Sequence, residues 1–264
     1  MVPGDTNGTS DVFRYNVANG TIERVSVAWD GSQLTASSVL STDATVGPCV
    51  SQNGQHIVFQ TISNNMVGGD TNSAVDVFAR DMVAARLTRM SVNSDGGEIA
   101  GISQSGTISG TGRFVIFTSA MAGIVPGDLN RRTDVFVRDR DVDGNGVFDE
   151  PGTFTIRRAS VMTDGAEGNN SSFGGRICDD GSCVAFASAA SLANNDQNGF
   201  PDVYFTELPS GGCPSDWNRN QGVDSDDVTS FFGDWEIGEA DIDLSGATDS
   251  DDVMVFFNYW DSGC

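Results

Sequence analysis

Before residue 213 the apolar positions fall in short runs of strand length and never recur at the three-to-four-residue spacing of an amphipathic helix. His56-Ile57-Val58-Phe59, Phe114-Val115-Ile116-Phe117 and Cys183-Val184-Ala185-Phe186 are such runs, each led in by a turn ending in glycine: Gly54, Gly112 or Gly181. Around them one phrase is written four times. It reads Asp5-Thr6-Asn7 with Asp11-Val12-Phe13, Asp70-Thr71-Asn72 with Asp76-Val77-Phe78, Asp128-Leu129-Asn130 with Asp134-Val135-Phe136, and Asp196-Gln197-Asn198 with Asp202-Val203-Tyr204. The periods are 65, 58 and 68 residues. Arg24-Val25-Ser26-Val27, Arg89-Met90-Ser91-Val92 and Arg158-Ala159-Ser160-Val161 supply a further strand per unit, and Asn19-Gly20 predicts a two-residue hairpin in the first. Periods of this length mean stacked supersecondary units. Four short strands per unit, repeated radially, is the propeller's way of protecting strand edges. The expected count is two strands in the first unit, four in each of the next two and three in the last. Met1 aligns with Met66, Ile124 and Leu192, so the expectation is an N-terminally shortened propeller with no signal peptide ahead of its first strand.

From residue 213 the period changes. Val228, Phe231, Phe232 and Trp235 stand at i, i+3, i+4 and i+7, and recur 25 residues later as Val253, Phe256, Phe257 and Trp260. That spacing predicts two short helices with one apolar face each. Ahead of each lies an oxygen-rich loop: Asp216, Asn218, Asn220, Gly222 (by its carbonyl), Asp224 and Asp227, then Asp241, Asp243, Ser245, Ala247 (by its carbonyl), Asp249 and Asp252. Oxygen donors at positions one, three, five, seven, nine and twelve suit a Ca2+ ion's six to eight ligands.

This segment resembles a dockerin domain, with tandem loop-helix calcium motifs closed by Asp, and more narrowly the type bounded by Gly-Cys, here Gly212-Cys213 and Gly263-Cys264. The resemblance implies a docking module for a cohesin-like or other cell-surface partner, recognised through Ser225, Asp226, Ser250 and Asp251. One departure is Gln221 at the sixth loop position, where Gly is usual. The preceding units are similar to the PD40 or TolB-type repeats of bacterial β-propellers, which implies a platform for a protein or polysaccharide ligand. The expected fold is therefore mainly β: a partial β-propeller over residues 1–210, followed over 211–264 by a small α-helical module with two EF-hand-like calcium loops.

Charge sharpens the division. Residues 213–264 hold 13 acidic side chains and one basic, against 24 and 13 in the rest of a chain of net charge −23. Such acidity excludes nucleic acid and anionic membrane surfaces as partners, and no apolar stretch approaches a membrane span. Of the cysteines, Cys178 and Cys183 flank the tight turn Asp179-Asp180-Gly181 and are placed to form a disulfide, while Cys213 and Cys264 bracket the last segment and predict a second. Cys49 is left over, as a buried thiol or as the partner of something absent. Disulfides and calcium both point to a secreted protein at the cell surface or beyond it.

The third unit carries an 11-residue insertion in which Asp141, Asp143, Asn145, the Val147 carbonyl and Asp149 have calcium-loop spacing, with Gly152 where a closing acid would stand. A weak metal site and a plain polar hairpin are both open there. The repeated Asp-x-Asn phrases are open in the same way, as Asx-turns or as cation ligands. His56, the chain's one histidine, sits in an apolar run and reads as packed, which leaves no imidazole base for a nucleophilic triad. The functional expectation is a secreted non-catalytic binding propeller, attached to a partner assembly through its calcium-dependent module. The alternative is a component of polysaccharide degradation, a glycoside hydrolase or lyase whose carboxylate pair is not marked in the sequence.

Overall fold

The computed structural model describes residues 4–40, 49–163, 165–193 and 199–208, and in the last segment 225–237, 240, 248, 250, 253–254 and 256–257. Contacts divide the chain into two units: residues 1–139 with 155–207, and residues 140–154 with 208–264.

In the first unit the apolar runs are the middle strands of antiparallel sheets. β1 (Phe13–Asn16) and β2 (Thr21–Arg24) pair alone. β3 (Ser38–Val39), β4 (His56–Thr61), β5 (Asp76–Asp81) and β6 (Arg86–Arg89) form the second sheet in chain order. β7 (Ser103–Ile108), β8 (Phe114–Ser119), β9 (Asp134–Asp139) and β10 (Thr155–Arg158) form the third. β11 (Ser172–Ile177), β12 (Cys183–Ser188) and β13 (Asp202–Glu207) form the fourth. Strand counts of two, four, four and three follow the repeat in the sequence. The four residues 17–20 join β1 to β2, so the expected two-residue hairpin is corrected: Gly20, at φ +73°, donates its N–H to the Asn16 carbonyl at 2.8 Å.

Side chains alternate along every strand, so the second and third sheets each have a rear face toward the preceding unit and a forward face toward the next. Ile57, Phe59 and Phe78 on the rear of the second sheet bury against Val12, Val25 and Leu34 of the first unit. Val58 and Val77, on its forward face, meet β7 of the third sheet at Gly106. A Cβ built there would lie 2.6 Å from a methyl of each, so only glycine lets the backbone come so close. Gly175 of β11 repeats the contact on Ile116 and Val135 at 2.8 and 2.9 Å. Both inner strands carry a bulge at this point, between Gln104 and Thr107 and between Phe173 and Arg176. An aromatic pair fills the rear face of the second, third and fourth sheets: Phe59 with Phe78 at 6.1 Å, Phe117 with Phe136 at 5.5 Å, and Phe186 with Tyr204 at 6.1 Å. His56 is buried in β4, its ring against Gly112.

Cys178 and Cys183 form the expected disulfide across their turn, with Cα atoms 5.3 Å apart. Cys49 is a half-buried thiol, its Sγ directed at the Gly106 carbonyl at 3.6 Å. Cys213 and Cys264 lie outside the described residues.

In the second unit α1 spans Ser225–Ile237, and Ser250, Val253, Met254, Phe256 and Phe257 are helical as well. Its Phe231 stacks on Phe256 with ring centroids 4.2 Å apart, and Val228, Phe232, Trp235 and Val253 pack around that pair. This corrects the expected fold of the last segment. The described residues give helical residues packed in one apolar cluster, and among them no group of acids in this segment is placed to hold an ion. The duplicated apolar spacing is accounted for by burial alone, since an i, i+3, i+4, i+7 face packs whether or not an ion stands nearby.

Candidate functional site

In each of the first three units the Asp-x-Asn phrase, the Arg-x-Ser strand and a more distant Glu or Gln converge on one polar node. In the second unit, Ser91 Oγ accepts the Val77 N–H at 3.0 Å and donates to Asp76 Oδ1 at 2.6 Å. Asn72 donates to Asp76 Oδ2 at 3.1 Å and to the Ile99 carbonyl at 2.7 Å, while its own Oδ1 closes an Asx-turn on the Ala74 N–H at 2.8 Å. Glu98 accepts the Thr71 N–H at 2.8 Å and the Thr71 hydroxyl at 2.7 Å. The Arg89 guanidinium stands among the acids, 2.7 Å from Glu98, 3.8 Å from Asp76 and 3.9 Å from Asp70.

The third unit repeats the arrangement. Ser160 donates to Asp134 Oδ1 at 2.6 Å, Asn130 reaches the Gly168 carbonyl at 2.8 Å, and Arg158 lies 2.8 Å from Glu167 and 3.6 Å from Asp128. In the first unit Ser26 holds Asp11 at 2.6 Å and Arg24 lies 3.3 Å from Asp5, but Gln33 takes the place of the glutamate and accepts the Thr6 N–H at 2.9 Å. The Asx-turn reading thus holds for the first three phrases, with the first Asp of each turned toward an arginine, while Asp196 and Asn198 of the fourth lie outside the described residues.

The electrostatics follow from crowding. Burial pushes Asp70 up to about 6 against the opposing pull of Arg89, and it pushes Asp134 up to about 6 against the Ser160 hydrogen bond. Asp76 and Asp128 are raised for the same reason. For Glu98 burial also acts upward, but the two bonds from Thr71 and the Arg89 charge outweigh it and hold the carboxyl at about 2. Asp70, Asp76 and Glu98, and likewise Asp128, Asp134 and Glu167, present oxygens within 4.8 Å of one another and could in principle chelate a divalent cation. In each group an arginine already supplies positive charge. Asp70 Oδ1 is buried and has no hydrogen-bond partner.

The residues chosen from the sequence fare differently. In the insertion, Arg140 pairs with Asp149 at 2.6 Å and lies over the Phe148 ring at 5.0 Å. Asp141 Oδ2 accepts the Gly146 N–H at 3.0 Å, and Asn145 bridges Asp143 and Glu150 at 2.9 and 2.8 Å. The loop therefore brings Asp141, Asn145 and Val147 into one hydrogen-bonded turn, with Asp149 held by arginine. Of the loop residues of the last segment, Asp216, Asn218, Asn220, Gly222, Asp224, Asp241, Asp243, Ser245, Ala247, Asp249 and Asp252 lie outside the described residues, as does Asp251. The side chains of Ser225, Asp226 and Asp227 do too; Ser250 is exposed. Sequence reading missed Arg89, Glu98, Ser91 and their counterparts as a set. The signal was present: Arg and Ser recur two residues apart in each of the first three units, and Glu98 and Glu167 share one place in a short bridge to Val92 and Val161.

No family model matches the chain, and no curated protein matches it. Among solved structures it is similar to the tricorn protease at 13% identity and TM-score 0.41, over 83% of this chain and 18% of that one. It is also similar to a protein from Agrobacterium tumefaciens described as a TolB, at 13% identity and TM-score 0.36, over 76% of this chain and 70% of that one. The likeness is distant, partial and confined to fold, a mostly β-sheet chain loosely like the TolB propellers. The dockerin assignment is corrected: no family model of any kind matches the segment that suggested it, and with that assignment go the EF-hand-like loops and the attachment function drawn from them.

Proposed function

We propose that residues 1–207 are an extracellular protein-binding domain whose contact surface is the forward face of the last sheet. The observation that carries this reading is a difference between equivalent positions. Val203 is 80% exposed where its counterparts Val77 and Val135 are fully buried, and Phe205 is 63% exposed where Ala79 and Val137 are buried. A large aromatic in place of alanine on an uncovered sheet face marks an interaction site more than a solvated one. The Cys178–Cys183 disulfide is consistent with, and supports, the extracellular setting. ANS emission tests the reading, since the dye reports exposed apolar surface. It should fall in a Val203→Asp, Phe205→Asp double variant of unchanged melting temperature; unchanged emission would end the proposal.

A second reading has one observation in its favour, the buried Asp70 Oδ1 without a hydrogen-bond partner. Three carboxylates around one arginine leave the second node negatively charged, and an all-oxygen donor set suits calcium. On this reading added Ca2+ raises the melting temperature, EDTA reverses the rise and Asp70→Asn abolishes it. A melting temperature indifferent to Ca2+ removes calcium from this node.

A further inference from the structure

Four phrases of the chain read Asp-Val followed by Phe or Tyr, but Arg-x-Ser is written after only three of them, at Arg24, Arg89 and Arg158, and residues 208–264 contain no Arg-x-Ser. In each of the first three units the Arg-x-Ser strand lies along the outer edge of the Asp-Val-Phe strand in one register: Phe13 opposite Arg24, Phe78 opposite Arg89, Phe136 opposite Arg158. Its serine closes the edge. Ser26, Ser91 and Ser160 each accept a valine N–H, of Val12, Val77 and Val135, at 3.0 Å and donate to the preceding aspartate, Asp11, Asp76 and Asp134, at 2.6 Å. The residue between arginine and serine donates its own N–H to the same valine's carbonyl, at 2.8 Å for Val25, 2.7 Å for Met90 and 2.8 Å for Ala159. The fourth phrase, Asp202-Val203-Tyr204, offers the same residues in β13, and among the described residues β13 is the last strand of its sheet.

We propose that the outer edge of β13 takes an extended Arg-x-Ser segment of a partner protein as its fourth strand. Hydrogen bonds alternate in direction along a strand, so Val203, Phe205 and Glu207, which correspond to Val77, Ala79 and Asp81, turn their N–H and C=O groups away from β12. β13 pairs with β12 in unbroken register along its whole length and contains neither proline nor lysine, the residues that commonly guard an edge. A strand added to such an edge gains affinity through the backbone and specificity through side chains. The three internal strands give those side chains: the incoming arginine stands opposite Tyr204, and the serine two residues on bonds Asp202 and the Val203 N–H. The partner is not a second copy, because the three Arg-x-Ser strands of each copy are already engaged in their own sheets. Charge favours the same choice, since the chain carries −23 and the segment brings arginine.

Fluorescence anisotropy tests this, with the full chain and a labelled peptide copying Arg86-Leu87-Thr88-Arg89-Met90-Ser91-Val92. Binding should saturate at one peptide per chain. Ser91→Ala in the peptide removes the hydroxyl that answers Asp202 and the Val203 N–H, and should weaken binding about tenfold or more. Arg89→Glu in the peptide sets like charges together and should weaken it most at low salt. On the protein, Phe205→Pro deletes one outward N–H at a place where an edge strand tolerates proline, and should abolish binding at unchanged melting temperature. If that variant melts early, a peptide N-methylated at Thr88, the residue that would face Phe205, makes the same test on the unaltered chain. No saturable binding up to about 1 mM peptide overturns the proposal. So does binding that survives both Phe205→Pro and the N-methyl group, which would place the peptide away from β13. The forward face is read by ANS and the edge by the peptide, so the failure of one reading leaves the other standing.

Discussion

Replacing Arg89 with methionine removes the one positive charge from the second node while leaving a stem of similar length. Arg89 is buried, and so are the side chains of Asp70 and Asp76, with Glu98 partly exposed at the mouth. Breaking a buried pair by deleting one partner typically costs about 3 to 5 kcal/mol, because a charge is left without compensation. Here the lower end is expected, about 3 kcal/mol at pH 7, since Asp70 already titrates near 6 and can take up a proton to relieve the node. The same relief makes the loss smaller at pH 5. Arg24→Met is the internal comparison. Its node has neutral Gln33 where the second has Glu98, and Asp5 is part-exposed, so about 1 kcal/mol is expected there. Urea or thermal unfolding of both variants at pH 7 and pH 5 reads the difference. Equal losses at the two sites, or a loss at Arg89 that grows on acidification, would refute the view that arginine holds these acids together.

The raised Asp70 gives a signed pH dependence. A folded-state pKa near 6, above the unfolded value of 3.8, means the native state holds the proton longer, so stability falls as pH rises between those values and stays reduced above them. Asp70→Asn should flatten that fall and leave the protein at least as stable at pH 7. Glu98 acts oppositely: held at about 2, it contributes stability present above 4.5 that is lost as pH drops toward 2, and Glu98→Gln should abolish that acid-side loss in a pH titration of the melting temperature. Gly106→Ala drives a methyl into Val58 and Val77 and should cost about 1 to 3 kcal/mol in denaturant unfolding, with Gly68→Ala, which meets nothing within 4 Å, as a control near zero. Opening the short Cys178–Cys183 loop by Cys178→Ser with Cys183→Ser should cost about 2 kcal/mol in the chain-entropy picture, read as the gap between the variant and the unreduced protein; no gap would remove the disulfide as a stabiliser.

How much of this was legible depended on whether a feature was local. The strands, their grouping into two, four, four and three, and the Cys178–Cys183 turn were readable because apolar runs, turn glycines and a repeat period are properties of consecutive residues. So was the apolar face that carries Phe231 and Phe256, which follows from helical spacing repeated. The calcium module was over-read from the same segment, since acidic residues at ligand spacing are also what a solvated, turn-rich surface carries. The nodes were decided by tertiary structure. Arg89 and Glu98 are nine residues apart and Asp70 lies on another segment, so only the pairing of β5 with β6 and the bridge of Val92 to Glu98 make them neighbours. The need for glycine at 106 is likewise invisible in the chain, because the atoms that exclude a side chain there belong to Val58 and Val77 of a different sheet. The exposed face of the last sheet belongs to the same class: Val203 and Val77 are the same residue in the same phrase, and among the described residues a following sheet covers Val77 and none covers Val203.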